Sequence, residues 1–502
     1  MDSRCSDRLI PFPLLAAMLL YYSTAGAVIH HVPDEYETLQ EGISAAASGD
    51  TVLVAAGEYT GAGNRHLDFG GIDLVLLSES GPELTILDAE GSQSDPHRCI
   101  YLQSKETNAA VIDGFTIRNG WAAYYGGGGI YCDQSSPTIR NCVITTCVVP
   151  YLDGRGGGIL LRSSTARIED CVITSNWATY GAGIACRGES SPTIIGCVMS
   201  GNEAGYGGGI DTGGTSNVLI LDCVISGNDA TNGFEDPGSG GGAILGGTSV
   251  MENCNITGNT SGYGAGIACW DGTPHVSGCT IAGNDAREWN GGGIVSTYSS
   301  ATIERTALWG NCASIGPEFI ADYEGSITFS DCVMDTDGIE QNGGQVIYGT
   351  GILVEDPLFC GAEPCVNAPT VEGDYTVSRS SSCVPDNNET GEWIGAEGVG
   401  CPAAAVPEDQ AGSLIHLGFP HPNPTTGRID CTIDLRQAGH AQVSILDVTG
   451  RRIASPVDRY LPAGIHPVVW MPDQTHKLAS GVYIVRLEAP GVIESRAFVL
   501  AR

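Results

Sequence analysis

Through the middle of the chain, apolar runs of three or four residues alternate with breaks made of glycine, asparagine and serine-proline. Within one stretch, Ile184-Ala185-Cys186, Thr193-Ile194 and Cys197-Val198-Met199 are β-branched or apolar runs, broken by Ser190-Ser191-Pro192, Gly196 and Gly201-Asn202. No gap between runs is long enough, or suitably spaced at a period of 3.6, to hold a helix. The same stretch then repeats. Gly127-Gly128-Gly129-Ile130 returns as Gly156-Gly157-Gly158-Ile159, Gly181-Ala182-Gly183-Ile184, Gly207-Gly208-Gly209-Ile210, Gly241-Gly242-Ala243-Ile244, Gly264-Ala265-Gly266-Ile267 and Gly291-Gly292-Gly293-Ile294.

Two further markers keep step with the glycines. Cys142, Cys171, Cys197, Cys223, Cys254 and Cys279 are 29, 26, 26, 31 and 25 residues apart, so only loop length varies, and Thr306 and Cys332 continue the series. In six consecutive units, from Cys171 to Thr306, an asparagine follows the marker by five residues, at Asn176, Asn202, Asn228, Asn259, Asn284 and Asn311. Such a period marks a stack of coils that bury one continuous core. Leucine-rich repeats have a similar length, but leucine is scarce at the repeating positions. The pattern predicts an all-β chain, a parallel β-helix with three strands per coil, each strand about 4.8 Å from its copy in the next coil. Glycine lets the chain enter a strand tightly at positive φ. Asparagine tolerates the left-handed bend, and stacked asparagines can hydrogen-bond along the ladder. The marker cysteines should point inward as unbridged thiols, because in-register neighbours stand farther apart than a disulfide allows.

The ends depart from the repeat. From Asp34 to Ala47 the apolar positions Leu39, Ile43 and Ala46-Ala47 predict an amphipathic helix that plugs the first coil. At the other end, Cys360 with Cys365 and Cys383 with Cys401 read as short-loop disulfides stapling the last turn, although sequence does not determine pairing. Residues 402–413 are a Pro/Ala linker, and 414–502 alternate as a small β-sandwich, with strands over 428–435, 441–446, 466–470, 481–488 and 492–500.

Composition adds a compartment and removes some partners. Arg4 and Arg8, an apolar stretch from Leu9 to Tyr22 and Ala25-Gly26-Ala27 make residues 1–27 a signal peptide cleaved after Ala27, so the protein is expected to be secreted or at the cell surface. No segment is long and apolar enough to span a bilayer. With 58 acidic against 23 basic residues, net charge −35 and lysine only at Lys105 and Lys477, nucleic acid and anionic lipid are disfavoured partners.

The β-helix segment, 28–401, resembles the right-handed parallel β-helix superfamily that includes pectate lyases and NosD-like proteins. Its opening Gly49-Asp50-Thr51-Val52-Leu53-Val54-Ala55-Ala56-Gly57-Glu58-Tyr59 carries the likeness. Gly241-Gly242-Ala243-Ile244 with Ile256-Thr257-Gly258-Asn259 is similar to a motif pair of polymorphic outer-membrane adhesins, with Ile in place of the usual Phe. The C-terminal 414–502 resembles the sorting domain of type IX secretion substrates, and the Ig-like module of hook-capping proteins. The matching blocks are Pro422-Asn423-Pro424-Thr425-Thr426-Gly427, Asp447-Val448-Thr449-Gly450-Arg451, Pro462-Ala463-Gly464 and Ser480-Gly481-Val482-Tyr483, with Arg496 and Arg502 where lysine is commoner. That resemblance implies secretion machinery as a partner.

Two chemistries compete for the surface. Tyr125, Tyr180, Tyr206 and Tyr263 stand just before the glycines, with Trp289 one residue further back and Trp177 nearby; stacked at one corner, such rings suit a polysaccharide or a surface protein. Asp133, Arg162, Arg187 and Asp211 fall at outward positions on successive coils, where they would serve a polysaccharide lyase or hydrolase, bind an ion, or form only a solvated ion ladder. Superfamily members that cleave acidic polysaccharides resemble one another in using Asp-bound Ca²⁺ with an Arg or Lys base, and the hydrolases use paired aspartates. Neither set matches residue by residue, since beyond the first coil this β-helix carries only His66, His97 and His275, and no strand with paired aspartates. Asp335-Thr336-Asp337-Gly338 matches half of a calcium loop, but the later ligands do not follow. No metal ligands and no cofactor are predicted, Ca²⁺ being the ion to consider.

Overall fold

The computed structural model describes residues 27–401 except 124–125, 232–237, 287–288 and 397. Beyond these it describes 415–417, 428–435, 439–447, 451–462, 464–472, 478, 481–489 and 492–500. Residues 1–26 of the expected signal peptide, the expected linker over 402–413, the Pro422 to Gly427 block and Arg502 lie outside the described residues.

The repeat folds as a parallel β-solenoid with three parallel sheets, of 22, 11 and 5 strands. Strands pair in register with their copies in neighbouring coils. Ile130 lies opposite Ile159, Ile159 opposite Ile184 and Ile184 opposite Ile210, while Ile144, Ile173, Met199 and Ile225 form a second column. These residues are fully buried and fill the coil interior. The largest sheet turns a corner because Ile294–Glu304 pairs in both of its ladders. Five central coils carry a fourth short strand, from Val148–Val149 and Trp177–Tyr180 to Thr260–Ser261. Its runs contain glycine, serine and aspartate, and stacking on the neighbouring coil makes them strands.

Each glycine triplet answers two demands. Gly181 has φ +58°, and a Cβ on Gly158 would lie 2.7 Å from the Gly183 carbonyl oxygen of the next coil. One unit is read a residue out of step by sequence: Ala243, not Ile244, lies opposite Ile210. The glycines there are Gly240, Gly241 and Gly242, and Ile244 faces outward in a small apolar cluster with Ala268, Val295 and Ile320. Alanine takes the inward place in this coil and the isoleucine stands one residue later on the outside, so a match on Ile244 falls one residue late.

The marker cysteines are buried and unbridged. The Cys223 amide donates to Cys254 Sγ at 3.4 Å, and Thr306 takes the same role for the Cys279 amide through Oγ1 at 3.4 Å. The asparagines form a buried ladder in which Nδ2 of Asn176, Asn202, Asn228, Asn259 and Asn284 each donates to the next Oδ1 at 2.9 to 3.0 Å. Positive φ falls on the residue before each asparagine, such as Ser175 and Gly201. The asparagine itself turns its amide inward, where a hydrogen bond is worth more than at the surface.

A short helix, Leu39–Ala45, caps the first coil and buries Leu39 and Ile43; Thr38 and Glu41 form its capping box. At the far end the disulfides are Cys312–Cys365 and Cys360–Cys401, each with Cα atoms 5.7 Å apart. The short-loop pairing is thereby corrected: Cys360 and Cys365 bond to other partners, and Cys383 is a free, buried thiol. Cys312 lies inside the repeat, 53 residues from its partner, and the chain reaches it by folding back along the solenoid, where the Thr370 amide donates to Gly258 O. The C-terminal strands form a small antiparallel region of a three-stranded and a four-stranded sheet around Ile433, Val443, Val485 and Phe498.

The asparagine ladder ends on an acid. Asn311 Nδ2 donates to Glu318 Oε2 at 2.7 Å and its amide to Oε1 at 3.2 Å. Burial pushes the Glu318 carboxyl up to about 7, against the pull of the Asn311 bonds and with the nearby Asp335 adding to the rise. A carboxyl that binds its proton more tightly folded than unfolded stabilises fully below its unfolded value of 4.5, and that contribution is lost as pH rises through about 7. The melting temperature of Glu318→Gln relative to the parent is therefore expected to rise between about pH 5 and about pH 8, since only the parent loses this contribution. Parallel scanning-calorimetry curves at both pH values would contradict this.

Candidate functional site

Period-two alternation carries the sheet that follows the glycines outward at two positions per coil. The first outward column holds Tyr131, Leu160, Ala185 and Asp211, and the second holds Asp133, Arg162 and Arg187. Tyr131 and Leu160 are only 4% and 3% exposed although they lie on the outside of the coil. The loop from Pro150 to Arg155 overhangs them, held by Thr179 Oγ1 donating to the Tyr151 carbonyl at 2.6 Å. A groove of about 910 Å³ results, lined by Tyr131, Tyr151, Leu160, Arg155, Arg162 and Arg187. A smaller one of about 220 Å³ adjoins it through Arg187 and is walled by Tyr180, Tyr206, Asp211 and Trp270.

Rings and guanidinium groups interleave over these grooves. Tyr180 and Tyr206 stack at 5.0 Å and 12°, and the Arg155 and Arg187 guanidiniums lie 4.7 and 5.9 Å from the Tyr180 ring. Two coils toward the N-terminus from Tyr180, Tyr131 stacks on Tyr101 at 5.0 Å, with Arg98 at 5.5 Å from the Tyr101 ring and 5.6 Å from the Tyr131 ring. Such cation–π contacts strengthen where water is excluded. Arg187 also bonds the buried carboxylate of Asp211 at 2.5 Å, while Arg162 and Asp133 stand 3.6 Å apart.

The arginines differ in how firmly they keep their protons. Burial lowers the value for Arg98, and for Arg155, where neighbouring Arg187 adds to the effect. Burial also opposes charge on Arg187, but the Asp211 charge and hydrogen bond more than offset it and leave the value raised. Arg187 is thus held as a cation, suited to bind an anion and unsuited to accept a proton. No group of three His, Cys, Asp or Glu side chains among the described residues is placed to hold a metal ion. The Asp335-Gly338 segment forms a 3-10 turn, Thr336–Gly338.

Of the residues singled out by sequence, the structure brings Asp133, Arg162, Arg187 and Asp211 onto consecutive coils and sets Tyr180 and Tyr206 beside them. Tyr263 packs on Trp289 at 5.6 Å, but Ser239 separates Tyr263 from Tyr206 in the column, so the aromatic stripe is interrupted. Trp177 lies at the opposite end of its strand from Tyr180, across from Val148 and Glu203. Tyr125 lies outside the described residues, and Gly126 directly precedes the first glycine of its unit. Arg98, Tyr101, Tyr131, Arg155 and Trp270 escaped the sequence reading. The signal for Arg155 was its place immediately before Gly156, where other units carry tyrosine.

Fold and site together define a parallel β-solenoid with a basic, aromatic groove along one outer face. The family model described as the right handed beta helix region matches residues 98–280, which include the grooved coils. No curated protein matches the chain. Among solved structures, the enzymatically active domain of tailspike protein 4 from bacteriophage CBA120 aligns at 12% identity and a TM-score of 0.29, covering 90% of this chain and 64% of that one. This chain thus spans less than two thirds of that domain. The tailspike receptor binding domain of siphovirus 9NA aligns at 10% identity and 0.28, covering 94% and 98%. Tailspike protein 2 of bacteriophage CBA120 aligns at 10% and 0.24, covering 95% and 72%.

The Arg187–Asp211 pair carries its own consequence. Asp211→Asn leaves a largely desolvated guanidinium without its counter-charge, and should lower stability in urea unfolding by about 2 kcal/mol while the β signature in circular dichroism persists. A loss below about 0.5 kcal/mol would mean that solvent, and not Asp211, neutralises Arg187.

Proposed function

We propose that this is an exported β-helix protein that binds an anionic glycan along the arginine- and tyrosine-lined groove. One observation carries the proposal: in a chain of net charge −35, Arg155, Arg162 and Arg187 line one groove, and Arg155 and Arg187 lie over the ring of Tyr180, which stacks on Tyr206 in the wall of the adjoining groove. Flat stacked rings suit the apolar faces of sugars, and guanidinium forks suit carboxylate or sulfate. The acidic remainder of the surface repels anions elsewhere and so favours this face. Arg187, held protonated by Asp211, offers no base for β-elimination.

Export rests on the signal-like residues 1–27 and on the resemblance of 414–502 to a sorting domain. Two disulfides at the end of the solenoid fit an oxidising compartment. The protein is then released or held at the cell surface, with the solenoid turned toward the polymer it binds.

The test is retention on polygalacturonate, alginate and hyaluronan against neutral cellulose and starch oligomers. Retention on an acidic polymer should weaken with salt and fall at least about tenfold in the Tyr180→Ala, Tyr206→Ala double variant, the loss expected of an aromatic anchor. New unsaturated ends produced by the parent and abolished by Arg187→Ala would instead establish a lyase.

A further inference from the structure

Farther along the same face, beyond the Tyr180 and Tyr206 stack, two tyrosines occupy an unfavourable place. Tyr298 and Tyr323 lie at the bend four residues after Ile294 and Phe319, with φ +49° and +37°. The corresponding bends of other coils use Gln134, Ser163, Gly188 and Asp271, also at positive φ. A left-handed backbone suits glycine or a short polar residue, and a bulky side chain adopts it only at a cost. Burial does not recover that cost here, because Tyr298 and Tyr323 are each 59% exposed. Their rings stack on each other at 5.9 Å and 24°. Strain kept together with exposure is what a ligand contact would explain.

The pair is continuous with the groove. Trp270, 40% exposed, lies between, with its ring 6.5 Å from Tyr206 and beside Asp271 in the wall of the smaller groove. Trp270 lies opposite Thr297, one residue before Tyr298. From the coil of Tyr131 to the coil of Tyr323 there are seven in-register steps, roughly 34 Å at about 4.8 Å per step. The two ends differ in charge. Arg155, Arg162 and Arg187 line the first, with Asp153 beside them and Asp133 and Asp211 as ion-pair partners, whereas exposed Asp271 and Glu324 flank the tyrosine pair.

We propose that Trp270, Tyr298 and Tyr323 extend the glycan surface, so that its occupant is a long chain lying parallel to the solenoid axis. Its anionic sugars sit at the arginine end and its neutral sugar rings stack on the tyrosine pair. The inference rests on the groove reading above and adds the length and direction of the occupant. Each coil advances by a distance comparable to one residue of an extended β-linked hexose chain, so a polymer can keep step with the coils.

Size-graded oligomers of hyaluronan, from disaccharide to decasaccharide, whose β-linked chain alternates a uronate with a neutral amino sugar, test this by calorimetry on the full chain. For the bound series, affinity should rise about tenfold from tetrasaccharide to decasaccharide. The Tyr298→Asn, Tyr323→Asn double variant should lose that rise and keep the tetrasaccharide affinity. Because asparagine suits the left-handed bend, the same variant should melt no lower than the parent, whereas rings held only for packing would make it melt lower. Affinity independent of length, or equal losses for short and long oligomers, would overturn the extended surface and leave the groove standing. Failure of every oligomer to bind would overturn both.

Discussion

One constraint governs this molecule: each coil hydrogen-bonds in register to the next at a single spacing of about 4.8 Å. A column of equivalent residues must therefore tolerate itself, repeated. Inward columns solve this with isoleucine, with small unbridged thiols, and with asparagines whose amides pair along the axis. Corners solve it with glycine, because the carbonyls of neighbouring coils leave no room for a Cβ. Where the ladder must stop, the last asparagine passes its hydrogen bonds to the buried carboxyl of Glu318. The cap after it is fastened covalently through Cys312 and Cys360.

That constraint also builds the surface. Outward columns hold like residues one rung apart, so a tyrosine at one position in consecutive coils becomes a stacked pair, as with Tyr101 and Tyr131 or Tyr180 and Tyr206. Arginines on adjacent rungs would repel one another. Here Asp211 neutralises Arg187, and the tyrosine ring faces take part of the charge of Arg155 and Arg98. The larger groove arises where a loop is long enough to overhang the sheet, from Pro150 to Arg155.

The fold was legible because the repeat writes the same physical demand many times. Glycine, cysteine and asparagine each recur at a position where one requirement operates, and seven copies outweigh any single exception. The site was legible only in part. Alternation placed Asp133, Arg162, Arg187 and Asp211 on one face correctly, since outward direction follows from strand period. Arg155 and Tyr131 were missed because a repeat analysis attends to what recurs, and these residues are departures from it. At Ala243 an alanine holds the place isoleucine takes in other coils, so the motif points one residue too far, and Ser239 interrupts the column in which the sequence pattern suggests an aromatic stripe. The disulfides escaped because a chain that folds back along a solenoid brings distant cysteines together, and sequence spacing favours near ones.

The central claim is that a polymer binds where guanidinium groups and stacked rings meet. Hydrogen–deuterium exchange of the full chain, with and without saturating acidic polysaccharide, tests it directly. The account predicts protection on binding in 150–162, 180–187 and 206–211, with the opposite cysteine ladder unchanged. Protection confined to the C-terminal antiparallel strands, or to the coils around Tyr263 and Trp289, would contradict it.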